Sequence, residues 1–300
     1  MGVVTALRSA WRKNEPELQG FFNGALPEFV TAARPRASLH GIPVFCYHLV
    51  EPDEFEADLA YLARNGYRTL RGQELVEHLR GERPLPERSV LLTFDDGPLN
   101  FFQVAFPLLQ RYGARATAFI APRLHVDAAA EQVAEARPMT WDEIVAIHAS
   151  GLVEFQSHTL ESRFIPEWPR PAALSGVRWS IEAPRRGTAL SLREDLERSR
   201  HMIESRLPGL RVNQLAFPMY LGTPDAIEDA RAVGLEACYW GLRPGRALNA
   251  PGASPYHMSR MSDEFLRRLP GEGRISVREL LRLRLRRIQA ARAWRRHFPE

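Results

Sequence analysis

The sequence predicts an α/β fold, an incomplete seven-stranded TIM-like (β/α) barrel. Three observations predict it. Short apolar runs of strand length alternate with amphipathic stretches of ten or so residues; about seven such units fit into the 300-residue chain; and the amphipathic stretches carry helix start and stop signals. In such a barrel the chemistry gathers where strands end and the following loops begin, which gives every candidate residue a positional test.

The elements can be justified in order. Residues 1–40 show no strand pattern and end in a Pro/Ala/Arg-rich stretch, so they read as an N-terminal arm. From Ile42 a short apolar run closes on Tyr47 and His48, and Phe55, Leu59 and Leu62 then recur at helical spacing until Gly66 stops the helix. Residues 89–94 read as a strand, Val104 to Tyr112 as a helix and 116–120 as a strand. Thr140 with Glu143 forms a capping box ahead of Ile144 and Ile147, Gly151 ends that helix, and 153–157 is a strand. Ser191 with Glu194 repeats the device ahead of Leu196 and Ile203. Residues 213–217 are a strand, Thr223 and Pro224 open a helix that Gly234 closes, and 237–240 is a strand again. The barrel is assigned residues 41–262, the range covered by the family resemblance given below. Residues 263–300 form a basic helical extension, whose Leu280, Leu281, Leu283, Leu285 and Ile288 trace no narrow stripe; it could cap the barrel, face a partner or lie on an anionic surface.

Composition is that of an ordinary globular chain, 45% hydrophobic and 25% charged, with a net charge of only +4. That modest charge, without a recognisable reading module, argues against nucleic acid as partner. Cys46 and Cys238 lie far apart in apolar segments, where unreactive buried thiols are usual, so no disulfide is expected. The N-terminus lacks the apolar stretch and cleavage site of a secretory signal, and no run of eighteen apolar residues occurs; the expected compartment is the cytoplasm.

The chemistry starts at Thr93-Phe94-Asp95-Asp96-Gly97, at the end of a buried strand. Two neighbouring carboxylates there cannot both ionise cheaply without a cation, and a metal ion is the usual remedy. An ordinary Asp-Asp-Gly turn would look the same in isolation. The pentapeptide resembles the first motif of the polysaccharide deacetylases, carbohydrate esterase family four with its NodB-homology domain. Tyr47-His48 and residues 85–90 add agreement with that family, and residues 106–120 resemble the helix–strand unit that follows the motif in the branch acting on poly-N-acetylglucosamine.

The resemblance implies Asp95 as general base and Asp96 as metal ligand. The family's second motif supplies two histidine ligands four residues apart; this chain has His158, but Ser162 stands in the second place. A hydroxyl is a weak zinc ligand beside imidazole, so another group would have to compensate. Glu161 and His48 are the candidates, each also readable blandly, as a solvated loop acid and as a buried histidine bonded to a carbonyl. Residues 215–222 resemble the third motif, a strand end whose backbone binds the acetyl group: Phe217 and Pro218 match, Met219 replaces an aromatic, and Tyr220 either substitutes for it or packs in the core. In the closing strand Arg260 would orient the acids or serve as a structural ion-pair partner, and His257 is a candidate general acid or merely a packed ring. Residues 162–190 form a long loop whose Trp168 and Trp179 either stack on sugar rings or staple the loop down.

The reading implied is a metal-dependent hydrolase that removes N-acetyl groups from amino sugars of a polysaccharide or lipid-linked oligosaccharide. Zinc is the first candidate ion, with cobalt, nickel or iron as others, and the Arg-rich C-terminal helix is a candidate peripheral membrane contact. The alternatives are an inactive barrel that binds glycan or a glycan-synthesis partner, favoured by Ser162, and an O-acetyl esterase, which the same groups would allow.

Overall fold

The computed structural model describes residues 26–127, 137–163, 165, 190–243 and 245–284. Nine short strands make one sheet in which every strand pairing is parallel: β1 (Val44–Tyr47), β2 (Arg68–Leu70), β3 (Ser89–Asp95), β4 (Ala116–Ile120), β5 (Val153–Ser157), β6 (Gln214–Ala216), β7 (Ala237–Trp240), β8 (Met258–Ser259) and β9 (Met261–Ser262). The order is β8-β7-β6-β5-β4-β3-β1-β9, with β2 paired to the start of β3. β8 and β9 sit at the two ends of this path yet are consecutive in the chain. The segment Met258–Ser262 therefore bridges β7 and β1 and draws the sheet into a nearly closed barrel, with Arg260 at the join.

The helices are α1 (Glu28–Thr31), α2 (Pro52–Arg64), α3 (Gly72–Leu79), α4 (Phe106–Tyr112), α5 (Trp141–Ala149), α6 (Leu192–Arg206) and α7 (Pro224–Ala232). Both expected capping boxes form. Thr140 and Ser191 each accept the backbone N–H three residues on, and Glu143 and Glu194 reach back to the cap amides. Thr223 caps α7 over Pro224.

Alternation along each strand sorts the side chains into two layers. Leu92 and Phe94 of β3 join the outer core beneath the helices with Phe45, Phe155 and Phe217, whereas Val44, Leu91, Phe119, Tyr239 and Met258 fill the barrel interior. Leu75, Val76 and Leu79 of α3 belong to that inner cluster, so α3 plugs the end of the barrel where the strands begin. Gly72 makes the plug possible. Its N–H donates to Thr117 Oγ1 at 2.7 Å, and an added Cβ would lie 2.2 Å from Gln214 Oε1. The opposite end, where strands finish, is left for chemistry.

Beyond the barrel, Leu26, Phe29 and Val30 are buried, and Arg268 and Arg274 bind the carbonyls of Phe29, Val30 and Ala32. Part of the sequence assigned to an N-terminal arm is thus packed onto the barrel. After Ile275 a helix begins at residue 277, with Leu280 and Leu283 buried and Leu281 exposed. Leu285 and Ile288 fall outside the described residues, as do Trp168 and Trp179. Among the described residues no helix is long and apolar enough to cross a membrane.

Candidate active site

Asp95 ends β3 facing the barrel interior, 2% exposed. Arg260, from the join between β8 and β9, donates Nη1–H to Asp95 Oδ1 at 2.6 Å. Burial alone would raise the pKa of Asp95, but Arg260, with lesser help from His158 and His48, holds it well below the usual carboxylate range. Arg260 is itself buried, with its guanidinium near the Tyr220 and Phe119 rings at 5.1 and 5.5 Å. Its Nε and Nη2 are buried without a hydrogen-bond partner.

Asp96 turns the chain out of the strand with φ 69°, followed by Gly97 at φ 66°. A side chain at Gly97 would meet His125 Cε1 at 2.8 Å, so both the turn and the close approach call for glycine. The Asp96 carboxylate is about half exposed, at 47%. His158, just past the end of β5, has its Nδ1 2.9 Å from the Ala216 carbonyl oxygen. A carbonyl can only accept, so Nδ1 carries the proton. The other ring nitrogen, Nε2, lies 3.5 Å from Asp96 Oδ1 and 4.0 Å from Asp95 Oδ2. Two carboxylate oxygens and an imidazole nitrogen converge there, and the paired acids call for positive charge beside them. The spacing fits an ion, because two ligand atoms each about 2.1 Å from one cation stand roughly 3 to 3.5 Å apart.

Ser162 is brought to the same place. Its hydroxyl donates to Asp96 Oδ1 at 3.1 Å, from a left-handed backbone with φ 55°. The turn from Ser157 to Ser162 is held by α6: Asp195 Oδ1 accepts the Leu160 N–H at 2.9 Å, and Ser199 bonds Ser157 Oγ and the Thr159 carbonyl. Asp195 is buried, and desolvation pushes its carboxyl up to about 6. The folded protein therefore binds this proton more tightly than the unfolded chain, and stability falls as pH rises from about 4 through 6, by about 3 kcal/mol. Asp195→Asn keeps an acceptor for Leu160 and removes the proton. Urea unfolding at pH 4 and pH 6.5 should show a smaller loss of stability in the variant, and parallel profiles would contradict this role.

The remaining sequence candidates divide. Glu161 is directed to Arg123, 2.7 Å away, and does not substitute for the missing histidine: the left-handed turn at Ser162 brings in the hydroxyl and leaves its neighbour on the surface. His48 does arrive, half-buried, but beside Asp95 and Cys46. Tyr220 packs its ring edge against His48 and places its hydroxyl 3.6 Å from Cys46 Sγ. Phe217 is fully buried on the outer layer against Trp240, so its ring is core and lines no cleft. Pro218 opens the tight turn Pro218–Tyr220, within which Tyr220 N–H and Leu221 N–H are spent on the Phe217 and Pro218 carbonyls. Met219 N–H is the amide of that turn left as an oxyanion donor candidate. His257 lies on the outer face of β7, its ring 5.8 Å from Trp240 and its Nδ1 2.9 Å from Arg243 Nη1. Burial, and then the charges of Arg243, Arg246 and Arg231, lower its pKa. The structure does not bring it to the acids.

Two residues at the site escaped sequence reasoning. Cys46 reads as an inert strand thiol, yet its Sγ is 3.5 Å from Asp95 Oδ2. His125 is buried with Nδ1 bonded to the Met139 carbonyl and Nε2 without a partner, against the Gly97 turn. Its position after a strand end was the available signal.

A parallel barrel whose strand tips gather two acids, an arginine and a histidine is a scaffold of hydrolase type, and comparison makes this specific. The sequence profile of the polysaccharide deacetylases matches residues 82–238, more than half of the chain. The chain belongs to the polysaccharide deacetylase family. It is similar to IcaB from Ammonifex degensii, with TM-score 0.60 and 28% identity over 77% of this chain and 96% of that one. It is 34% identical over 124 residues to a poly-β-1,6-N-acetyl-D-glucosamine N-deacetylase of Escherichia coli (strain K12), covering 38% of this chain but only 18% of that protein. A protein of the same name from Staphylococcus epidermidis is 22% identical over 71% of this chain and 67% of its own length.

Proposed function

We propose that this chain hydrolyses N-acetyl groups from an amino-sugar polymer, with a divalent ion held by Asp96 and His158 and with the Ser162 hydroxyl beside them. Poly-β-1,6-N-acetylglucosamine is the first candidate substrate, because the E. coli and S. epidermidis relatives are named for it. The observation that carries the reading is His158 Nε2 placed 3.5 Å from Asp96 Oδ1 and 4.0 Å from Asp95 Oδ2.

An ion held there would supply Lewis acidity to the acetyl carbonyl and to water, which suits a base as weak as Asp95. The chain's own groups do the rest. Asp95 Oδ2 accepts a proton from the attacking water, and the Arg260 bond to Oδ1 keeps that oxygen turned inward. Water adds to the carbonyl carbon, the C–N bond breaks, and the proton held by Asp95 passes to the leaving nitrogen, giving acetate and a free amine. Met219 N–H can meet the oxyanion.

The test is acetate and free-amine release from N-acetylated β-1,6-glucosamine oligomers by the purified full chain. Release should stop after chelation and return with added zinc, cobalt, nickel or iron. A lipid-linked oligosaccharide assayed alongside discriminates the substrate form. Ser162 favours one other reading, an inactive barrel that binds glycan; glycan binding without acetate under every ion would establish it.

A further inference from the structure

β1 and β3 pair with Cys46 opposite Thr93. Side chains two residues apart share a face, so His48 follows Cys46, and Asp95 follows Thr93, onto the same inner side of the rim. Cys46 Sγ lies 3.5 Å from Asp95 Oδ2, and ligand atoms of Cys46, His48 and Asp95 all lie within 4.8 Å of one another. Donor atoms about 2.0 to 2.3 Å from a tetrahedral ion stand roughly 3.3 to 3.8 Å from each other, so small rotations of these side chains would bring all three onto one ion. Arg260 occupies Asp95 Oδ1 and leaves Oδ2 on the thiol side. Cys46 and Asp95 are 3% and 2% exposed, whereas His48 is only half-buried, so an ion could enter past His48 and be enclosed by the other two.

We propose that Cys46, His48 and Asp95 form a second cation site, distinct from Asp96 and His158, that takes a soft divalent ion such as zinc or cadmium. A thiolate and an imidazole in one donor set select such ions over magnesium or calcium. Tyr220, with its hydroxyl 3.6 Å from the sulfur, can donate a hydrogen bond to the thiolate that forms when the ion displaces the proton. The site also has a consequence that rests on the hydrolytic reading above: an ion on Oδ2 occupies the atom that must accept the proton from water, so zinc or cobalt that restores release when it fills the Asp96 and His158 site should suppress it in excess, when it fills this one too.

Metal-free full chain titrated with cobalt tests the site through the near-ultraviolet charge-transfer band of a cobalt–thiolate bond. The band should appear in the unmodified protein and persist in Asp96→Asn and Cys238→Ser. It should vanish in Cys46→Ser, and His48→Ala should weaken cobalt binding by about tenfold or more. Circular dichroism verifies that each variant folds, and should Cys46→Ser not fold, the half-exposed His48→Ala carries the test. No band in the unmodified protein, or a band that survives Cys46→Ser and disappears in Cys238→Ser, overturns the proposal. Cadmium added to active protein should suppress acetate release in step with its thiolate band. A chain that shows the cobalt band but never releases acetate refutes the hydrolase reading and leaves this site standing.

Discussion

Asp95→Asn is expected to lower acetate release by about 10²- to 10⁴-fold, the usual range for removing a positioned general base. Asn retains an oxygen for Arg260 Nη1 but cannot take a proton from water, so the loss should fall on kcat far more than on KM. The same change also bears on stability. Breaking a buried ion pair typically costs about 3 to 5 kcal/mol, because the partner charge is left uncompensated, and the retained hydrogen bond should hold the loss toward the low end. The sign with pH follows from the depressed pKa of Asp95. Its contribution to stability is present above the unfolded carboxylate value near 4 and is lost as pH falls below it. The variant should therefore show a shallower acid destabilisation than the native chain in urea unfolding. Unchanged acetate release in a folded Asp95→Asn protein would remove Asp95 from the reaction.

Ser162→His is expected to raise affinity for zinc or cobalt by at least about tenfold, since a neutral hydroxyl is exchanged for an imidazole. The position tolerates the change better than most, because histidine is among the residues enriched at positive φ and Ser162 sits at φ 55°. The hydroxyl already reaches Asp96 Oδ1, so the Cβ vector points toward the proposed ion. Competition against a fluorescent chelator measures the gain. An affinity equal to that of the native chain would mean that no ion sits between Asp96 and His158.

The fold was legible where local signals are strong. Two capping boxes and a proline-led helix start announced α5, α6 and α7, and buried runs announced β3, β4 and β5. β2 escaped because three residues with one buried side chain give no period, and α3 because a glycine at its first position hides a helix whose apolar residues plug the barrel. Seven strands were expected and nine formed: β2 is one addition, and the other arises because a segment split by Arg260 reads as one strand until its two halves pair with different neighbours.

At the site, residues adjacent in sequence were the readable ones. Asp95, Asp96 and His158 each close a visible strand, whereas Cys46 meets Asp95 only through the pairing of strands 49 residues apart, and nothing local betrays that. His257 and Phe217 show the complementary failure. Which face a side chain takes depends on strand parity, and a strand of two or three residues does not set its parity from sequence.

The join at Met258–Ser262 ties assembly of the fold to the charge state of the site. Phe45 and Met261 pair across more than two hundred residues, so loop-closure entropy makes this among the last contacts worth forming. In the closed barrel burial by itself would push the Asp95 carboxyl toward its neutral form, and Arg260, carried by this same join, reverses that shift. The latch that finishes the barrel is therefore also what supplies the positive charge that keeps its inward-facing acid ionised.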